Sequence, residues 1–109
     1  MLTSLGYQVL TADDGVEAIE QVLAQDATID AILMDQSMPR KDGLTATREI
    51  RELEANGTLS RRRPIIAVTA VVSSQAQTLC RLAGTDDFLA KPLSLERLES
   101  CLREQLGGG

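Results

Sequence analysis

Two apolar runs that lack polar alternation constrain the fold of this chain more than any other feature. Residues 31–34 (AILM) and 65–68 (IIAV) contain no polar side chain. A half-exposed strand would alternate apolar and polar residues, so these runs are typical of strands covered on both faces of a parallel sheet. Asp35 ends the first run and Thr69 ends the second. Because the carboxyl ends of parallel strands meet at one edge, we expect Asp35 and Thr69 to lie close together.

Strand and helix patterns alternate along the rest of the chain. Residues 7–12 and 88–90 are typical of short strands, and Lys91 follows the second of them. Helical spacing follows each strand, over about 16–25, from Gly43 to the break at Asn56-Gly57, from Ser73 or Ser74 to Gly84, and after the capping residue Ser94. The expected buried positions are Val16, Ile19, Val22 and Leu23 on the first helix and Leu95, Leu98 and Leu102 on the last. This order predicts an α/β fold with helices on both faces of one parallel sheet.

Composition limits the class of protein. With 109 residues, 43% of them hydrophobic and 25% charged, the chain forms one globular domain over residues 1–106, followed by a glycine tail at 107–109. No apolar stretch approaches the ~20 residues that span a bilayer, and no signal-peptide pattern opens the chain, so we expect a cytoplasmic domain without membrane contact. The net charge of −5 argues against direct nucleic-acid binding.

The basic cluster and the cysteines have ordinary interpretations. Arg61, Arg62 and Arg63 precede Pro64 in a predicted loop, where a solvated cluster is expected. Cys80 and Cys101 show no CxxC spacing, and the chain has no histidine. We therefore expect two buried apolar thiols rather than a metal site or a disulfide.

Three segments, in order, carry a resemblance to a known family. They are Asp35-Gln36-Ser37-Met38-Pro39-Arg40-Lys41-Asp42-Gly43, the segment 65–70 that contains Thr69, and Asp86-Asp87-Phe88-Leu89-Ala90-Lys91-Pro92. Together they closely resemble the receiver domain of two-component response regulators and hybrid sensor kinases, over nearly the whole chain. The resemblance implies a flavodoxin-like, or CheY-like, parallel sheet flanked by helices.

The resemblance also implies a phosphorelay function. Asp35 would be the phosphoacceptor, taking a phosphoryl group from a phosphohistidine of a histidine kinase or a histidine phosphotransfer protein. Thr69 would hydrogen-bond a phosphoryl oxygen, and Lys91 would neutralise its charge. Asp35 and the backbone carbonyl of Ser37 would hold Mg²⁺. Receiver domains promote their own phosphorylation and dephosphorylation, so whether this domain counts as an enzyme stays open.

Two further residues take family roles by position. Thr69 and Phe88 would form the conformational switch, although Phe88, the one phenylalanine of the chain, could equally be a core residue. A cis peptide before Pro92 would orient Lys91.

The start of the chain departs from the family pattern. A receiver begins with a strand that ends in two acidic residues, and residues 1–6 match only the end of the helix that follows it. We therefore expect a sheet without the usual first strand, as in a fragment of a larger gene product, and weak binding of Mg²⁺. The strand at 7–12 would pair with 31–35, with a second chain in a homodimer, or with a displaced element. In the first case Asp13 or Asp14 could approach Asp35 as a replacement metal ligand.

Two functions compete on this basis. The first is a phosphoacceptor receiver, either stand-alone or part of a hybrid histidine kinase. The second is a degenerate receiver that acts as a phosphorylation-independent protein-interaction module. A nucleotide-binding enzyme is disfavoured because neither GxGxxG nor GxxxxGK[ST] occurs.

Overall fold

The structure, a computed structural model, describes residues 6–12, 15–35, 43–69, 73–91 and 94–106. Strands and helices alternate throughout these residues. The strands are β1 (Val9–Ala12), β2 (Ala31–Asp35), β3 (Ile65–Thr69) and β4 (Asp87–Ala90). The helices are α1 (Gly15–Ala24), α2 (Gly43–Ala55), α3 (Ser74–Ala83) and α4 (Leu95–Leu106). The sequence pattern thus predicted every one of these elements, with β1 two residues shorter and β4 one residue longer than expected.

The strands form one parallel sheet in the order β1-β2-β3-β4. β1 pairs directly with β2, and Ala12 lies opposite Met34. Of the three arrangements open to the strand at 7–12, the structure therefore shows pairing with β2 in the same chain. This parallel sheet with flanking helices is the flavodoxin-like fold that the alternation predicted.

Successive side chains of each strand face opposite sides of the sheet, which produces two hydrophobic clusters. On one face, Ile32 and Met34 of β2 pack with Val22 of α1 and Ile50 of α2. On the other face, residues of the four strands pack with α4, and this cluster contains Val9, Ala31, Leu33, Ile66, Val68, Leu89, Leu98, Cys101 and Leu102. Because both faces are covered, the strands have no solvent side, which explains why residues 31–34 and 65–68 contain no polar residue.

Three leucines expose surfaces that helical spacing alone would bury. Leu23 of α1 is 45% exposed and Leu95 of α4 is 61% exposed, contrary to the prediction. In α1 the buried positions are Gly15, Ala18 and Val22. Leu82 of α3 is 76% exposed, since Cys80 and Ala83 form the buried side of that helix. The small residues Ala18 and Ala83 let α1 and α3 approach their neighbours closely, and a hydrophobic-spacing rule gives them too little weight.

The segment between α2 and β3 is anchored by a buried arginine. Arg61 and Arg62 are exposed, but Arg63 is only 1% exposed. Its Nε donates to the Ile29 carbonyl at 2.8 Å, and Nη2 donates to the Asp26 carboxylate at 2.6 Å and to the Asp26 carbonyl. The prediction of a solvated basic cluster was therefore wrong for Arg63.

None of the described helices combines the length and the apolar character needed to cross a membrane.

Candidate functional site

The carboxyl edge of the sheet brings the predicted site residues onto three neighbouring strands. β2 ends at Asp35, whose partner in the ladder is Val68 of β3. β3 ends one residue later at Thr69, whose partner is Ala90, the last residue of β4. Lys91 directly follows Ala90. The backbone therefore places Asp35, Thr69 and Lys91 side by side at one edge.

A backbone hydrogen bond fixes Lys91 against the end of β3. The Lys91 amide donates to the Thr69 carbonyl at 2.8 Å, which extends the β3–β4 pairing past the last residue of β4. Thr69 is 7% exposed, whereas Lys91 is exposed. A buried hydroxyl-bearing residue and a solvent-accessible cation are thus held next to each other beside the strand that ends in Asp35. This arrangement suits recognition of an anion at the sheet edge.

Several predicted residues lie outside the described part of the chain. These are the metal-binding candidate Ser37, the predicted cis-proline Pro92, the acidic residues Asp13 and Asp14, and the glycine tail at 107–109. The hypothesis on Asp13 and Asp14 required the first strand to lie directly beside β2. That requirement is met, because Ala12 pairs with Met34 and each precedes an aspartate in the sequence.

Phe88 lies on β4 opposite Ala67 and is half-buried, between the core position and the exposed position that the sequence left open. Its amide donates to Oδ1 of the preceding Asp87 at 2.8 Å. Oδ2 of Asp87 in turn accepts a hydrogen bond from the Cys101 thiol of α4 at 2.9 Å. One carboxylate therefore joins the backbone of the switch candidate to α4.

The sequence predicted Cys101 correctly as a buried free thiol, but its hydrogen bond to Asp87 was missed. Burial raises the pKa of Cys101 well above the ordinary thiol value, and the neighbouring Asp87 carboxylate raises this pKa further. Cys101 is therefore a protonated donor at neutral pH rather than a reactive thiolate. No spacing rule pairs residues that are 14 positions apart on a strand and a helix.

Comparison with known proteins identifies the class. The family model described as "Response regulator receiver domain" matches residues 1–103. The chain therefore belongs to the response regulator receiver family, as the three sequence segments and the parallel sheet predicted.

Similar proteins include receiver regions of histidine kinases and a chemotaxis protein. Sensor histidine kinase RcsC of Salmonella typhi is 42% identical over 101 residues, which cover 93% of this chain and 10% of the kinase. Chemotaxis protein CheY of Treponema pallidum is 33% identical over 108 residues, which cover 94% of this chain and 71% of that protein. The chain spans only 10–14% of the length of RcsC and of Histidine kinase 5 from Arabidopsis thaliana.

A solved structure shows the same fold at comparable identity. The receiver domain of sensor histidine kinase PA1611 from Pseudomonas aeruginosa is 42% identical and aligns with a TM-score of 0.76, over 95% of this chain and 80% of that one. That crystal structure has a magnesium ion coordinated in the active site cleft. The chain is thus a receiver domain of the kind found in two-component and hybrid histidine kinase systems.

Proposed function

We propose that the domain accepts a phosphoryl group on Asp35 from a phosphohistidine of a histidine kinase or a histidine phosphotransfer protein. The observation that carries the proposal is the backbone placement of Asp35, Thr69 and Lys91 on adjacent strand ends. A nucleophile, a hydroxyl and a cation are the groups that transfer to a carboxylate requires.

The chemistry divides among the three residues. A carboxylate oxygen of Asp35 attacks phosphorus, and the P–N bond of the phosphohistidine breaks. The imidazole nitrogen keeps the electron pair, so that neutral histidine leaves. The Thr69 hydroxyl donates a hydrogen bond to a phosphoryl oxygen, and the Lys91 ammonium offsets negative charge on the acyl phosphate. Catalysis then consists of positioning and electrostatics.

We further propose that Asp35 and the Ser37 carbonyl hold Mg²⁺. A carboxylate and a carbonyl are the hard oxygen donors that this ion prefers, so the donor set fits it. Bound Mg²⁺ would neutralise charge on the transferred group. With two protein ligands and the remaining positions filled by water, we expect weak affinity. Asp13 lies after Ala12 in the strand that pairs with β2, and we infer that its carboxylate is the first candidate for a third ligand.

Thr69 and Phe88 are the proposed switch. Thr69 ends β3, and Phe88 lies on the paired strand β4, so a shift of the Thr69 hydroxyl toward a phosphoryl group changes the space beside Phe88. The half-buried state of Phe88 gives its ring room to move further inward or outward. We place the phosphorylated domain and its histidine-bearing partner in the cytoplasm.

Incubation with a small phosphodonor such as phosphoramidate and Mg²⁺, followed by intact-protein mass spectrometry, tests the proposal. The parent protein should gain one phosphoryl group, and Asp35→Asn should gain none. Asp30→Asn is the matched control, because Asp30 precedes β2 at its opposite end, and this variant should be phosphorylated like the parent. Absence of phosphorylation in the parent at every Mg²⁺ concentration would favour a phosphorylation-independent interaction module.

A further inference from the structure

The Thr85 hydroxyl is buried without a hydrogen-bond partner, and it alone has this property among the side chains that the structure describes. Thr85 is 9% exposed and lies between α3 and β4. It lines a recess of about 50 Å³ together with Gln77, Arg81 and Phe88. Folded proteins pair nearly all buried polar groups, because an unpaired one loses its hydration without compensation. The recess therefore lacks one polar partner.

Arg81 supplies an unused positive charge at the same recess. It lies in the last turn of α3, a helix that contains no acidic residue, and is exposed. None of the ion pairs found in the described residues involves Arg81. The side-chain amide of Gln77, one turn earlier, lines the recess as well. Arg81, Gln77 and Thr85 can all donate hydrogen bonds.

The acidic residues that line the recess are already engaged. Asp86 accepts from Arg51 and from Arg62, both at 2.6 Å. Asp87 accepts from the Phe88 amide and the Cys101 thiol. Neither carboxylate pairs with Arg81, so the charge of Arg81 is available to a ligand. An acceptor with negative charge is the group that completes this set of donors.

The recess adjoins a larger groove along the sheet edge. This groove has a volume of about 450 Å³ and shares Gln77, Arg81, Asp87 and Phe88 with the recess. Its other linings are Leu89 and Ala90 of β4 and one side of α4. β4 is the end strand of the sheet, paired on one side with β3. An end strand within a groove is the geometry into which an extended peptide fits as an added strand.

We propose that the recess and groove bind an extended segment of a protein partner that carries an aspartate or glutamate side chain. The backbone of the segment lies along β4, and its carboxylate enters the recess, where it accepts hydrogen bonds from Arg81, Gln77 and the Thr85 hydroxyl. On the α4 side, Arg97 adds a second cation and Glu104 opposes a further acidic residue at its end of the groove. The site is therefore selective for one carboxylate at the α3 side. Binding here does not depend on phosphorylation of Asp35.

An NMR titration of the unphosphorylated, ¹⁵N-labelled protein tests this proposal. The probe is a blocked pentapeptide of alternating valine and glutamate, and the matched peptides contain glutamine or lysine in place of glutamate. The glutamate peptide should shift the amide resonances of Thr85, Phe88 and Ala90. The glutamine peptide should bind about tenfold more weakly, the effect of one charge-assisted hydrogen bond. Equal binding of the three peptides, preference for lysine, or absence of binding would overturn the proposal.

Two variants assign the effect to the recess. Arg81→Gln should remove the preference for glutamate, whereas Arg103→Gln, an exposed residue of α4 outside the groove lining, should retain it. Thr85→Val should weaken binding of the glutamate peptide without lowering the denaturant midpoint, because the Thr85 hydroxyl has no partner to lose. If both Arg81→Gln and Thr85→Val bind the glutamate peptide as the parent does, the recess is not the site.

Discussion

At the scale of single residues, Arg63 is the most consequential charge in the described part of the protein. Its buried guanidinium donates to the carbonyl groups of Ile29, Asp26 and Arg61, which lie in two separate connections between secondary-structure elements. A buried cation is tolerated only when its donors are paired, and Arg63 meets this condition mostly through backbone oxygens. Arg63 therefore holds the connection before β2 against the connection before β3.

Replacing Arg63 should destabilise the fold strongly. Arg63→Met retains the length of the side chain but leaves two or more buried carbonyl groups without donors, so the free energy of unfolding should fall by about 3 kcal/mol. Urea denaturation measures this change. The matched control is Arg62→Met, since Arg62 is 59% exposed and its pair with Asp86 should contribute less than about 1 kcal/mol. Equal losses in the two variants would contradict the structural role of Arg63.

Asp26 gives the stability a pH dependence on the acid side. Hydrogen bonds from the Ser60 amide hold the pKa of the Asp26 carboxyl below its ordinary value of 3.8, with the Ser60 hydroxyl and Arg63 acting in the same direction against partial burial. A depressed pKa in the folded state means that the stabilisation is complete above pH 3.8 and disappears as the pH falls through the folded value.

The Asp26 contribution can be measured by comparing variants across pH. Unfolding curves of the parent should show a fall in stability below about pH 4 that is smaller in Asp26→Asn, because the amide cannot titrate. Near pH 7 the parent should be the more stable protein. Identical pH profiles for the parent and Asp26→Asn would show that this carboxylate does not contribute.

Residue-scale chemistry was only partly predictable from the sequence. Asp35, Thr69 and Lys91 were predicted because each follows a strand, and strand ends converge in a parallel sheet. The burial of Arg63 was not predictable, since its acceptors are backbone oxygens more than 30 positions away. A run of three arginines gives no indication of which of them is buried.

At the scale of elements, the C-terminus of α3 is fixed by a glycine and an arginine. Gly84 has φ +112°, the left-handed conformation that commonly ends helices, and its amide donates to the Arg81 and Cys80 carbonyls. Arg51 of α2 packs over Gly84 and donates to its carbonyl at 2.9 Å and to Asp86 at 2.6 Å. α2 thereby holds both the end of α3 and the start of β4.

Gly84→Ala should destabilise the protein more than Gly57→Ala. Both glycines have positive φ, which costs an alanine about 1 kcal/mol. A Cβ at Gly57 would meet nothing within 4 Å, but a Cβ at Gly84 would lie 2.7 Å from Cγ of Arg51. We expect a loss of about 2–4 kcal/mol for Gly84→Ala, because the clash adds to the backbone strain. Thermal unfolding of the two variants decides this, and an equal shift would contradict the packing of Arg51 against Gly84.

Elements were the best predicted level of structure. The runs at 31–34 and 65–68 could be assigned to strands because a two-sided sheet needs no polar face. The caps Ser73 and Gly84 were predicted correctly, since their side-chain and backbone chemistry is local. The exposure of Leu23, Leu82 and Leu95 was not visible in helical spacing, because it depends on which neighbouring element is present to cover them.

At the scale of the whole molecule, the strand order explains the site. Parallel pairing of β2, β3 and β4 in neighbouring registers sets Asp35, Thr69 and Lys91 at one edge, whereas Arg63 and the Thr85 recess lie near the opposite ends of β3 and β4. The sheet order β1-β2-β3-β4 required the structure, because the sequence left three partners open for the strand at 7–12. Once β1 lies beside β2, the aspartates after Ala12 and Met34 follow paired strand positions.

The central claim, phosphoryl transfer to Asp35, is tested most directly with a phosphohistidine donor. A purified histidine phosphotransfer domain carrying a radiolabelled phosphoryl group is mixed with the protein, and label is located by peptide mapping. We predict Mg²⁺-dependent transfer to the peptide that contains Asp35, slower transfer to Lys91→Gln, and no transfer to Asp35→Asn. Label on a different residue, or label retained in Asp35→Asn, would contradict the account.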